Sequence, residues 1–184
     1  YSGAANLAGE LGHCRSPLDG SPYAPVGYGK AGSFEGFCSG GGIAELGRSL
    51  ALEQLQRGNA PSFCPTLQDL ESVTALSIAQ AAQEGDPTAL EVYRCSGRHL
   101  GMALALLCAL LNPQRVVIGS IYQRSQALLR DAAMEVLTRE ALPGNVASCQ
   151  VVPAVLGEQL GDTAALSVAV NGLGRQASAI KFTL

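Results

Sequence analysis

The chain has no tryptophan, and aromatic residues make up only 5% of its 184 positions. A core without large aromatics is filled by Ala, Leu and Val, which suits closely packed helices. Lys and Arg number 12 against 15 Asp and Glu, for a net charge of −3. They form no basic cluster, so no nucleic-acid partner and no anionic membrane surface is expected through this chain. Long apolar runs are also missing. The most apolar stretch, LGMALALLCALLNP, has about 14 residues where a membrane span needs about 20. It reads as a buried helix. The opening residues carry no signal-peptide pattern. The six cysteines are scattered with no disulfide-scaffold spacing. Reduced thiols in the cytoplasm are the expectation. The first residue is Tyr1 and not Met, so either the start is processed or the chain is part of a longer product.

What is present is apolar bulk, at 47%, and 22 glycines. This is a globular composition with enough length for a single domain. Residues 1–42 hold much of the Gly, Pro, Ser and Tyr and read as loop and short strand. From Gly42 to Gly58, IAELGRSLALEQLQRG has helical spacing. TLQDLESVTALSIAQAAQEG reads as a second helix, with Thr66 as N-cap and Asp69 completing a near capping box. A third opens at Asp86-Pro87 and runs some 25 residues to Asn112-Pro113, with its apolar second half buried. RVVIGS reads as a parallel strand, Ser125 to Leu142 as a helix, and SCQVVPAVL as a strand that Pro153 places near an edge or end. GDTAALSVAVNGLG reads as a small-residue helix. In the C-terminal half, helix, strand, helix, strand, helix implies parallel α/β layers. No internal repeat or linker divides the chain.

The most informative short stretch is AGELGHCRSPLDG at 8–20, where Glu10 and His13 stand among glycines. Taken alone it is a sugar-gripping loop, a metal site or a surface turn. Its context narrows the choice. GAANLAGELGH, CSGGGIAEL, NPQRVVIGS and LGEQLGDTAALSVA follow in that order. Together they resemble the ROK family of sugar kinases and sugar-responsive repressors, over nearly the whole chain but only over the C-terminal part of the family pattern. The resemblance implies an α/β fold: the C-terminal lobe of an actin-like ATPase (ribonuclease H-like) fold, helix-rich with a small, mainly parallel sheet. It implies one lobe over 1–184. Residues 1–42 form its loop-rich sugar side, 43–112 a helical part, and 113–184 the nucleotide side.

The resemblance also implies roles. Glu10, His13 and Glu45 match the family's sugar contacts. Carboxylates accept from sugar hydroxyls, and paired contacts select the epimer. Gly119, Ser120 and Gly161 match the nucleotide side, where small residues leave room at the end of a parallel strand. The family's structural zinc takes one His and three Cys. Here the GExGH half of the signature is intact and the CxCGxxGCxE half is eroded. His13 and Cys38 alone remain as weak candidates, and no zinc is expected. His99 reads as a satisfied or surface helix residue, and Glu35 and Asp19 as solvated loop charges.

The family's DxGxT-type phosphate loop, its Asn-Asp pair with the catalytic Asp, and its GTGxG loop have no match in residues 1–184. No catalytic residue is therefore assigned. The expectation is a sugar- and nucleotide-binding lobe of an ATP-dependent hexose or N-acylhexosamine kinase, inactive alone. ATP and Mg²⁺ belong to the complete enzyme, whose N-terminal lobe is a partner. The alternatives are the sensing lobe of a repressor and a non-catalytic binding or oligomerisation module. Apolar helices built to face an absent lobe make a homodimer the expected assembly.

Overall fold

A computed structural model describes residues 3–18, 22–155, 162–163 and 165–171. The chain opens with a 3₁₀ turn at Leu11–His13 and a small hairpin, β1 (Val26–Gly27) and β2 (Lys30–Ala31). Tyr28 and Gly29 make the hairpin turn at φ 51° and 72°, both central residues left-handed as a tight antiparallel turn requires. Two helices follow directly, α1 (Phe34–Cys38) and α2 (Gly40–Gln56).

The segment is loop and short strand up to Ser33, as expected, but its last residues, from Phe34 to Gly42, are largely helical. The Ser33 and Ser39 hydroxyls cap the two helices, accepting from Gly36 N and Gly42 N at 3.1 Å each. The glycines serve close approach. A Cβ on Gly42 would lie 1.7 Å from the Gly36 carbonyl oxygen, and one on Gly36 2.2 Å from that of Pro25. Asp69 caps a 3₁₀ turn (Leu67–Ser72), and the helix proper is α3 (Ala75–Gln83), capped again by Thr74. The expected single helix is broken because Val73 is extended and only 1% exposed, packed into the core.

Helix α4 (Pro87–Leu111) has the expected start and length. Asp86 accepts from Ala89 N at 2.9 Å, and Asn112 ends the helix in the left-handed region at φ 43°. Its second half is only partly covered: Leu104 and Cys108 are buried, whereas Leu110 and Leu111 are exposed. Then come β3 (Arg115–Ile118), α5 (Ile121–Glu140), α6 (Pro143–Ser148) and β4 (Gln150–Pro153). Helix α5 begins before Ser125, and α6 was not legible in the pattern. Strands β3 and β4 are parallel, with Arg115 opposite Gln150 and Ile118 opposite Pro153. Residues 162–163 and 165–171 are helical.

The core lies between α2, α3, α4 and α5, around Ile43, Leu46, Ile78, Val92, Tyr93 and Leu129. A smaller cluster, Leu104, Cys108 and Leu137, continues it beneath the sheet, with Val116, Ile118 and Val151 packed on it. Among the described residues no helix is long and apolar enough to cross a membrane.

Candidate functional site

The opening loop is tied down from two sides. Phe34 N donates to Cys14 O at 2.9 Å and Ser16 N to Gly32 O at 3.0 Å. The Ser16 hydroxyl meets His99 Nδ1 at 2.7 Å. His99 is 2% exposed and stacks on Phe37 at 3.4 Å between ring centroids. Burial, and then the Arg98 charge, lower its pKa to about 4. A neutral imidazole in the core therefore anchors the loop that carries Glu10 and His13.

Above that anchor lies a cleft of about 560 Å³. The 3₁₀ turn supplies one wall through Glu10, Leu11 and Gly12. Helix α1 supplies Glu35 and Cys38, and α4 supplies Ser96 and Leu100. The β3–α5 junction closes it with Ile118, Gly119 and Ser120. The lining is mostly apolar with a few polar groups, the usual make-up of a small-molecule site.

Two features of this cleft stand out physically. Ser120 holds φ 54° and ψ −123°, a backbone region that essentially only glycine adopts freely, and that costs other residues about 1–3 kcal/mol. Ser96 is 1% exposed and its Oγ has no hydrogen-bond partner, which is uncommon for a buried hydroxyl.

The residues singled out from the sequence separate here. Glu10, Gly119 and Ser120 share the cleft. His13 is exposed on the 3₁₀ turn and is not in the lining. Glu45 is half-buried on α2, and its Oε2 accepts from Val26 N at 2.9 Å. It braces the hairpin and is not in the lining either. Gly161 lies outside the described residues. Glu35, read from the sequence as a solvated loop charge, is half-buried and lines the cleft. It sits there because Ser33 starts a helix that the glycines had concealed. Ser96 and Tyr28 were not picked out. The close packing of α4 on α5 through the adjoining Gly97 was the available signal for Ser96.

The thiol chemistry does not fit a zinc site. Cys38 packs against α4 with Sγ 3.8 Å from the Ser96 carbonyl oxygen. Burial, and then the neighbouring Cys95, push its pKa up to about 12, which opposes the thiolate that zinc requires. Among the described residues no three His, Cys, Asp or Glu side chains form a metal-holding group.

Comparison with known proteins fits this architecture. The ROK family model matches residues 1–171. A glucokinase of Halalkalibacterium halodurans is 30% identical over 160 residues, covering 86% of this chain and 46% of the relative. The DNA-binding transcriptional repressor Mlc of Escherichia coli K12 is 29% identical over 144 residues, covering 78% of this chain and 32% of the relative. The chain thus spans about half or less of the curated relatives it matches. Among solved structures, a ROK family glucokinase of Streptomyces griseus in complex with glucose and AMPPNP superposes with a TM-score of 0.64 at 23% identity, covering 84% of this chain and 48% of that one. Matched kinases of this kind carry the actin-like ATPase fold, and the helix-rich lobe with its small parallel sheet is that fold. The chain belongs to the ROK family.

Proposed function

We propose that this chain is the C-terminal sugar- and nucleotide-binding lobe of a cytoplasmic ATP-dependent hexose or N-acylhexosamine kinase. One observation carries the reading: a single cleft joins Glu10 of the GExGH loop to the Gly119–Ser120 turn at the end of a parallel strand. Sugar hydroxyls donate to the Glu10 carboxylate, and Glu35 on α1 offers a second acceptor in the same cleft. The Gly119–Ser120 turn meets the nucleotide side, and ATP with Mg²⁺ binds in the complete enzyme. His13 and Glu45 are assigned to sugar only if the loop rearranges around it. Calorimetric titration of the chain with glucose and N-acetylglucosamine tests this. Saturable binding that Glu10→Gln weakens at least about tenfold supports it; binding indifferent to that change overturns the assignment.

The matching catalytic Asp is absent from residues 1–184, so the chain alone has no kinase turnover in this reading. Steady turnover in a coupled ATP–hexose assay with the isolated chain is the contrary outcome. In this reading the partner lobe or subunit joins at β3. Gln150 N donates to Gln114 O, and Ala154 N to Ile118 O, at 2.9 Å each. By the alternation of a parallel ladder, Arg115 and Val117 turn their amides and carbonyls away from β4. Val117 is 59% exposed. The outer edge of β4 carries Pro153, which has no N–H to offer. A further strand, from the N-terminal lobe or from a second copy in a homodimer, therefore adds on the β3 side.

The repressor reading keeps a place because the chain resembles Mlc about as closely as it does the glucokinase, 29% against 30%. A protein that binds sugar, carries a helix-turn-helix on the same polypeptide and hydrolyses no ATP would be that repressor.

A further inference from the structure

The eroded half of the signature, CxCGxxGCxE, fits the chain in two registers. With Glu45 last, its cysteines fall on Gly36, Cys38 and Ile43, and most of it lies inside α1 and α2. With Glu35 last, it lies on VGYGKAGSFE, from Val26 to Glu35. Both signature glycines are then kept, as Gly29 and Gly32, and only the three cysteines differ. Val26, Tyr28 and Ser33 take their places. The structure favours the second register. Gly29 and Gly32 hold φ of 72° and 71°, the left-handed region where glycine is the default. Glu35 lines the cleft beside Glu10, and Glu45 does not. We infer that the hairpin and Ser33 are a zinc site turned into a metal-free clamp, in which Ser33 and Glu45 hold by hydrogen bonds the corner that a metal would otherwise hold. This stands without the kinase reading, since it concerns how the loop is braced and not what the cleft takes.

The donor set is the first argument. Structural zinc takes thiolate sulfur and imidazole nitrogen in a closed tetrahedron. Valine has no donor atom, and the Tyr28 and Ser33 side chains offer hydroxyl oxygen where zinc selects soft thiolate. Of the four positions only His13 keeps its ligand, and a single imidazole does not close such a site. The Ser33 hydroxyl is also committed elsewhere. It is buried, accepts from Gly36 N at 3.1 Å and donates to Gly27 O at 3.3 Å.

Those hydrogen bonds do the work of a metal at this corner. Ser33 Oγ joins Gly27 on β1 to Gly36 in α1. Glu45 reaches from α2 to accept from Val26 N at 2.9 Å. Gly32 N donates to Pro25 O at 3.0 Å and so closes the base of the hairpin. Packing leaves little play, because a Cβ on Gly27 would stand 2.3 Å from Gly36 N. His13 adjoins Cys14, whose carbonyl oxygen Phe34 N meets at 2.9 Å. Chain positions 13, 26, 28 and 33 therefore still gather at one corner, next to Glu35.

The test is zinc analysis and melting of the full chain beside the triple variant Val26→Cys, Tyr28→Cys, Ser33→Cys. Val26 and Tyr28 are exposed, so cysteine there disturbs no core, and Ser33→Cys changes one atom. The parent, purified from zinc-supplemented growth, is expected to carry no stoichiometric zinc and to melt alike with and without EDTA. The triple variant is expected to bind one zinc per chain, to show thiolate-to-metal absorption with cobalt(II), and to melt lower in EDTA. Adding His13→Ala to it should weaken zinc at least about tenfold. In the parent, Glu45→Ala should lower the melting temperature by about 2–4 °C. Stoichiometric zinc in the parent, with a melting temperature that EDTA lowers, overturns the proposal. So does a folded triple variant that binds zinc no better than the parent, or whose zinc is indifferent to His13→Ala. Where the triple variant does not fold, the parent's zinc content and Glu45→Ala decide, and a Glu45→Ala chain that melts like the parent removes the clamp.

Discussion

Gly101 on α4 faces the backbone of Ala133 on α5 so closely that a Cβ at 101 would stand 2.3 Å from the Ala133 carbonyl oxygen. One turn earlier, a Cβ at Gly97 would stand 2.7 Å from the Leu129 carbonyl oxygen. The two glycines form a groove in α4 that receives α5, and α5 in turn fixes where the β3–α5 turn and Ser120 lie. The obstacle in both cases is backbone, which does not swing aside as a side chain does. Gly101→Ala therefore forces the helices apart. Overpacking of this kind costs about 1–3 kcal/mol, which the gain of about 1 kcal/mol in helix propensity offsets only at its lower end. The expected result is a fall in melting temperature of several degrees, at about 2–4 °C per kcal/mol for a chain of this size. A variant that melts at or above the parent temperature would show that α4 and α5 have slack.

The burial of His99, whose Nδ1 meets the Ser16 hydroxyl at 2.7 Å, sets a pH dependence. The folded-state pKa of His99 is lowered from 6.5 to about 4, by burial first and by the Arg98 charge second. Between those values the unfolded chain holds more protons than the folded one. Stability from this group is thus complete above about pH 6.5 and is lost as pH falls toward 4, by up to about 3 kcal/mol at 1.36 kcal/mol per unit. Urea unfolding as a function of pH checks it against His99→Phe, which keeps a ring to stack on Phe37 and cannot titrate. The parent should lose stability faster than the variant over that window. Parallel curves would mean that His99 takes up its proton in the folded state without penalty.

Much of the scaffold was legible before any coordinates. Asp86-Pro87 and Asn112 bracket α4 because a cap, an N1 proline and a left-handed terminator each have a local cause. Pro153 marked the end of β4 for an equally local reason. The site was harder to read. Glycines at 36 and 42 suggested loop, yet they are tolerated in α1 and α2 because two strands of backbone nearly touch there. That contact is tertiary and leaves no periodic signal. Glu35 was misplaced for the same reason, and Glu45, which matches a sugar contact by sequence order, is bonded to Val26 N. The motif order was sound evidence of ancestry. It could not report which carboxylate faces the cleft.

Asp86 joins two elements with one carboxylate. Its Oδ1 accepts from Ala89 N at 2.9 Å, and its Oδ2 accepts from the Ser62 amide at 2.7 Å and hydroxyl at 2.8 Å. Asp86→Ala removes a helix cap, worth about 0.5–2 kcal/mol, and leaves the Ser62 amide without this partner. The expected loss is therefore about 1–3 kcal/mol, read as a lower denaturation midpoint with an unchanged slope. Asp86→Ser should restore most of the cap and little of the Ser62 contact, and so fall between the two. If serine and alanine are equally destabilising, the Ser62 contact is what matters and the cap is not.

Ser120 is the position where stability and binding should part. Its φ of 54° and ψ of −123° lie where a Cβ is penalised, and glycine removes that penalty. Ser120→Gly is expected to raise stability by about 1 kcal/mol, the lower part of the range for such strain. Ser120→Ala should gain nothing, because it keeps the Cβ and loses only the hydroxyl. The pair of variants thereby separates strain from chemistry. If the hydroxyl contacts a ligand in the cleft, both variants lose affinity alike although only one is stabilised. If the strained backbone itself is what shapes the turn, only glycine changes affinity, since alanine holds the same geometry. Melting curves and sugar and nucleotide titrations on the three proteins decide between these outcomes, and equal stability of parent and Ser120→Gly would show that the turn stores no strain.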